Sequence, residues 1–347
     1  MLRYESTLTI LKLLLALCFS QTCFSQNLIA SDFSLSEPYK HKNLTLYFLG
    51  LNGTAQNGTY AEQIIPLDEA LSKNKVTVHE TGNVSELRVE NTSTDNIVFL
   101  QAGDIVKGGK QDRVLTTDML LQPQSGRVAI SAFCVERGRW QPRESESVKQ
   151  FSSSKNSLSS KKLKIAAFSR KEQGEVWKEV SNVQKKLYDN IGADVQDNRS
   201  RTSLQLSLES DAVKGSLDDY IKELTRTLAN HKNAHGYIAL INGQINSADV
   251  FSSSELFKKQ WPKLLLASAT EALAELDKDS AGENNTISID GQDLLSFLST
   301  SEQGARSEKV GKNAGYSMVN DTRDTFFSES RMNQNASSWV HRTYLKK

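Results

Sequence analysis

Cysteine is nearly absent from the folded part of this chain. Of three cysteines in 347 residues, Cys18 and Cys23 lie in an N-terminal leader and only Cys134 lies beyond it. A single remaining thiol excludes an intramolecular disulfide and leaves a buried thiol, an intermolecular bridge or a reactive group. The flanking "AISAFCVE" alternates like a strand, which favours a small buried hydrophobe over a nucleophile.

An excess of charge of either sign is also missing. Cleavage after Ser25 takes Arg3, Lys12 and Glu5 from totals of 42 basic and 41 acidic residues, leaving 40 of each. A formally neutral chain has no long-range field with which to gather nucleic acid or anionic lipid, so no nucleic-acid partner is expected. Long apolar runs are absent too. Leu8–Phe19, interrupted by Lys12, is the longest, and it falls short of the about 20 residues a spanning helix needs. With Arg3 before it and "CFSQ" after it, residues 1–25 have the form of a secretory signal, and the protein is expected to be exported.

Familiar catalytic punctuation is missing as well. There is no Gly-rich phosphate loop, no Gly-x-Ser-x-Gly elbow and no Cys-x-x-Cys knuckle, and neither a cofactor nor a metal is expected. His231 and His235 stand four apart, as zinc ligands on a helix do. Lys232 occupies the place of the general-base Glu, however, and the pair is expected to mark a helix end.

What is present is a composition of 38% hydrophobic and 24% charged residues, ordinary for a globular protein. Residues 26–145 read as a β-rich part, with "LTLYFLGL" at 44–51 followed by several alternating runs and one short helix at 66–74. Residues 146–171 are basic and Ser-rich, which suggests an exposed, mobile connection. From 172 to 347 the period becomes helical. Val176, Val180, Val183 and Leu187 form one stripe, and Ser216 is expected to cap "SLDDYIKELTRTLAN". Asn242-Gly243 centres a β-hairpin, "SSSE" at 252–255 opens a helix that Pro262 should kink or divide, and "NTISID" and "FFSESRM…SSWVHRTYL" read as late strands. The fold class expected is α+β: antiparallel hairpins first, then a helix-rich half with one hairpin and C-terminal strands, the two forming one composite domain.

The chemistry is densest at 103–140. Gly108 and Gly109 can present consecutive N–H groups in a concave turn, with Lys107, Lys110 and Arg113 around it. Arg113 and Arg139 offer planar forks for a carboxylate or phosphate, Gln111 an amide and Trp140 a flat apolar face. Glu136 is the candidate acid or base. The expected geometry is a hairpin turning near 124–125, which sets Arg113 across from Glu136 and Gln111 across from Gly138. The same residues can equally form an internal ion-paired tie between two sheet edges.

"LDEALSKNKVTVHETGNVSELRVEN", "AGDIVKGGKQDRVL", "FCVERGRW", "QGEVW", "INGQINSADVFSSSELFKKQWPKLL" and "WVHRTYL" occur in this order. Together they resemble the ARG-and-rhodanese-phosphatase-superfamily-associated protein domain, from about Leu44 to Leu345. The resemblance implies an association with nucleotide or phosphate metabolism and brings no established reaction. The basic "QFSSSKNSLSSKKLK" departs from that pattern.

Three functions remain open: an exported binding or scaffold protein for a small anionic ligand, a hydrolase of a phosphorylated or nucleotide-like compound using Glu136, and a thiol enzyme using Cys134. Export has its own test. N-terminal sequencing of secreted material should begin near Gln26, and an intact Met1 on cytoplasmic protein would exclude cleavage.

Overall fold

The structure, a computed structural model, describes residues 32–52, 62–143, 146–277, 289–310 and 314–347. Residues 1–25, expected to be a secretory signal, and residues 285–288 of "NTISID" lie outside these.

Among the described residues the chain forms 18 strands and seven α-helices. The first part holds β1 (Phe33–Leu35), β2 (Tyr39–His41), β3 (Leu44–Leu51), β4 (Ile64–Pro66), helix α1 (Leu67–Ser72), β5 (Val76–Glu80), β6 (Glu86–Asn91) and β7 (Ile97–Leu100). It continues through β8 (Asp104–Gly108), β9 (Arg113–Leu115), β10 (Met119–Leu121) and β11 (Gly126–Cys134). Then come β12 (Phe151–Ser157), α2 (Lys161–Ile165), α3 (Gln173–Ile191), α4 (Leu204–Leu208) and α5 (Asp211–Thr225). The last part holds β13 (Ala234–Ile241), β14 (Gln244–Phe251), α6 (Ser254–Ala274), α7 (Gly291–Glu302), β15 (Arg306–Lys309), β16 (Tyr316–Asp321), β17 (Thr325–Arg331) and β18 (Trp339–Lys346). The architecture is α+β.

Three sheets result. Nine strands form the largest, in the order β1-β3-β13-β14-β18-β17-β16-β15 with β2 beside β3; six form β12-β8-β9-β11-β6-β5; three form β10-β7-β4. Pairing is antiparallel except between β4 and β7. One cluster of buried side chains runs through both halves: Leu46 and Phe48 of β3, Phe99, Val114 and Val135 of the first part, Val180 and Leu187 of α3, Phe257 and Trp261 of α6. α6 lies against α3, α5, β12 and β13 and is buried on nearly every side.

The β13–β14 hairpin turns at Asn242-Gly243, both with positive φ (52° and 73°), the conformation that an Asn-Gly pair adopts most readily. α3 buries Val176, Val180, Val183 and Leu187, the stripe that its spacing defines.

Several expectations give way to packing. Residues 146–171 are not a mobile connection. Phe151–Ser157 pairs with β8, and the chain then turns into α2, capped by the Ser160 hydroxyl, and a π-helical turn at Ala166–Arg170. The Ser and Lys texture hides alternate buried positions: Phe151, Ser154, Asn156, Leu158 and Leu163 are all enclosed. α5 begins at Asp211 under a Ser210 cap, and Ser216 sits inside it, bonded back to the Ala212 carbonyl at 2.8 Å. An internal Gly215 costs a helix only about 1 kcal/mol against Ala, so it did not mark the start. α6 is capped by Ser253 and continues through Pro262, because Trp261, Leu264 and Leu265 are packed from all sides. His235 lies in β13 rather than at a helix end, with Nδ1 3.1 Å from the Phe251 carbonyl. His231 follows a 3-10 turn, its Nε2 2.8 Å from the Tyr39 hydroxyl.

Gly236 marks the closest approach of β13 to β14. A Cβ there would lie 2.3 Å from the Asp249 carbonyl oxygen and 2.8 Å from the Val250 Cα, both backbone atoms that cannot swing aside. Gly236→Ala should therefore destabilise the fold by about 3 kcal/mol or more, read as a lowered midpoint of chemical denaturation. An unchanged midpoint would mean that this strand pair is looser than described.

Candidate functional site

The 103–140 stretch is not one hairpin. β9 pairs with the end of β11, but β10 departs to pair with β7, and the first half of β11 pairs with β6. The break falls at Thr116–Asp118, where the Asp118 carboxylate turns inward and accepts the Ala102 N–H at 2.8 Å. The register is accordingly two residues away from the simple hairpin. Arg113 lies opposite Cys134, and Gln111 donates its amide to the Glu136 carbonyl at 2.9 Å.

This places the polar residues together: Arg113 is not partnered with Glu136, whereas the internal pairing of Glu136 with Arg139 is present. Arg113 is fully enclosed and bonds the Gln111 carbonyl at 2.9 Å and Glu80 at 3.4 Å. Glu136, also at 0% exposure, faces the Arg139 Nε at 2.8 Å, the Asp112 N–H at 3.3 Å and Arg143 at 3.9 Å. Asp112 receives Arg143 on both oxygens at 2.7 and 2.8 Å, with the Ser203 hydroxyl at 3.3 Å. Glu146 closes the set against Arg143 at 2.8 Å. Burial, with Glu136 close by, leaves the Asp112 carboxyl above its ordinary value in spite of Arg143.

The Gly108-Gly109 turn has positive φ at both residues, 116° and 57°, as its glycines permit. Its amides are already engaged: Gly108 donates to Asp112 at 3.1 Å, Gly109 to the Ser147 carbonyl at 3.0 Å, and Lys110 to Glu80 at 3.3 Å. They reach three different acceptors and do not converge on one anion position. Lys107 pairs with Glu209 at 3.0 Å. Lys110 instead lies with Nζ 4.9 Å above the ring of Trp140, which is 49% exposed.

Cys134 is a buried free thiol, and burial pushes it up to about 11. Gln173 clasps its backbone, accepting from the N–H and donating to the carbonyl, each at 2.8 Å, and the Trp177 indole donates to the Glu136 carbonyl at 3.2 Å. "QGEVW" and "FCVERGRW" thus meet in space.

A second buried cluster went unseen in the sequence. His341 of β18, 1% exposed, lies between Asp118 at 2.7 Å from Nδ1 and Asp249 of β14 at 3.1 Å from Nε2. Gln101 reaches Asp249 at 3.4 Å and accepts from Gln260 at 3.0 Å, and nearby Lys263 pairs with Asp104 at 2.8 Å. Phe251 lies 4.4 Å from the imidazole, centroid to centroid. Burial works against charge on His341, but the two aspartates outweigh it and raise the pKa from 6.5 to about 9. Asp249 is held below its ordinary value: burial opposes this, and the His341 bond and the Lys164 charge prevail. No local signal marked it, because Asp249 and His341 share their strands with other polar residues, Asn246, Ser247, Arg342 and Thr343.

The two clusters and their immediate partners gather segments of all six sequence pieces quoted above. A family model described as ARG and Rhodanese-Phosphatase-superfamily-associated Protein domain matches residues 32–345, nearly the whole chain. The chain belongs to this family. No curated protein and no solved structure matches it. Among the described residues, no helix is long and apolar enough to cross a membrane.

The His341 bridge has a definite pH signature. Its folded pKa exceeds the unfolded value, so its stabilisation is complete below about 6.5 and is lost as pH rises through about 9. Denaturation midpoints should fall across that interval, by up to roughly 3 kcal/mol of stability for such a shift. In His341→Gln the fall should be absent, at lower stability throughout. A wild-type profile parallel to that of the variant would contradict the bridge.

Proposed function

We propose that the protein is an exported binding or scaffold module, and that its ligand-contacting surface is the rim of the 107–113/134–140 region rather than its interior. The observation that carries this reading is the division between the two. Asp112, Arg113 and Glu136 are sealed and ion-paired, to Arg143, Glu80 and Arg139 respectively, whereas Trp140 stands half-exposed with Lys110 over its ring. An aromatic face with an adjacent ammonium suits a small anion that carries an apolar or aromatic body.

The surroundings agree with this. Arg137, exposed, lies with its guanidinium 5.7 Å from the Trp177 ring centroid, and Val84 and Val148 are 39% and 47% exposed. Ser147, next to Val148, is bonded to Gly109, and Lys110 Nζ lies within 4.0 Å of a Cβ built at Gly82, so these loops share one edge. The internal ion pairs serve as its frame. Export rests on the pattern of residues 1–25.

A hydrolase using Glu136 would need that carboxylate to reach substrate, and here it lies beneath Arg139. The thiol reading would need a thiolate, which a pKa of about 11 disfavours at neutral pH.

The test is a panel of nucleoside monophosphates, sugar phosphates and inorganic phosphate, followed by intrinsic fluorescence and by phosphate release. A nucleotide should quench Trp140 emission saturably. Trp140→Ala and Lys110→Glu should weaken binding about tenfold or more, in line with loss of a stacked or charge-assisted contact. Glu136→Gln should lower stability and leave affinity unchanged. Phosphate release that disappears in Glu136→Gln would replace this proposal with the hydrolase.

A further inference from the structure

A second concavity of about 430 Å³ opens on the exposed face of β11, and neither Lys110 nor Trp140 lines it. Its volume is within the range of small-molecule sites. The lining combines four hydroxyl residues, Ser85, Thr116, Thr117 and Ser131, with six apolar ones, among them the partly buried Phe133. Lys171 and Glu86 are the charged groups in the lining.

The floor is rigid. Thr116 gives both its N–H and its hydroxyl to the Ser131 carbonyl, each at 3.2 Å, joining the end of β9 to β11. Two residues on, Asp118 is locked below by Ala102 and His341. The buried bridge therefore fixes the segment that presents Thr117 outward.

Lys171 is held at the mouth by backbone constraint. It sits in the left-handed region at φ 55°, ending the π-helical turn, and Gln173 two residues later is clasped to Cys134 beside Phe133. Among the described residues its ammonium makes no ion pair. Glu86 faces Arg88 loosely, at 3.8 Å, and keeps acceptor capacity for a hydroxyl.

We propose that this cleft binds a small polyhydroxylated carboxylate, a sugar acid, with its carboxylate on Lys171, its hydroxyls exchanging bonds with Thr117, Ser131 and Glu86, and its C–H face on Phe133. The Thr117 and Ser131 hydroxyls and the Glu86 carboxylate supply both donors and acceptors beside an apolar floor, which a simple anion would not require and a sugar does. The single cation selects the acid over the neutral sugar.

Ligand-observed NMR titration of the full mature chain with D-glucuronate, and with D-glucose as the neutral counterpart, tests this. Glucuronate should bind saturably and more tightly than glucose. Lys171→Asn, which tolerates the same backbone region, should weaken glucuronate about tenfold and leave glucose unchanged. Ser131→Tyr, at an exposed strand position, should fill the cleft and remove both. Thermal midpoints equal to wild type would show both variants folded. Trp140→Ala should bind glucuronate normally, which separates this cleft from the rim. Absence of saturable glucuronate binding to the wild-type chain would overturn the proposal, as would binding that persists in Ser131→Tyr.

Discussion

One buried cation holds the sheets in register with one another. His341 belongs to the nine-stranded sheet, Asp249 to the neighbouring strand, and Asp118 to the segment that leads into the three-stranded sheet. Desolvating a single charge would be prohibitive, but two carboxylates and two aromatic rings share this one. Such a bridge is a poor source of net stability and a strict source of geometry. Replacing one partner leaves another charge stranded, so competing registers of these strands are heavily penalised.

The same logic is repeated twice elsewhere. Arg342 is enclosed between Glu302 of α7, at 3.2 Å, and Glu329 of β17, with the Trp339 ring 4.6 Å from its guanidinium. Asp112, Glu136, Arg139 and Arg143 form the third set. The charges that do lie inside the protein are thus held in matched networks, and Lys110, Lys171 and Trp140 lie outside them.

The α+β class was legible, and so were several elements, for local reasons. β3 and the Asn242-Gly243 hairpin declare themselves through alternation and turn chemistry, and α3 through its Val and Leu stripe. β12 was not legible, because Ser154 and Asn156 are buried polar positions, and the partner of the Ser154 hydroxyl, Gln205 at 2.7 Å, comes from a distant segment. The site was legible as a concentration of residue types but not as a pairing. Arg113 and Glu136 look complementary in sequence, yet Arg113 takes Glu80, from outside the stretch, and Glu136 takes Arg139. Pairing register is a tertiary property here, set by the inward turn of Asp118 and the departure of β10.

The clasp of Gln173 on Cys134 has a consequence for how this protein avoids meeting its own kind. β11 outlasts β6: their ladder ends at Ser131–Glu86, while β11 runs on to Cys134. Past that point one flank of the strand would offer a bare backbone donor and acceptor, the template on which a second chain can add. The Ala132 N–H goes to the Ser85 carbonyl, and both backbone groups of Cys134 go to one glutamine side chain. A primary amide carries the donor and acceptor of a peptide group, so Gln173 acts as a one-residue counterfeit strand. It occupies the open edge with a piece too short to be extended.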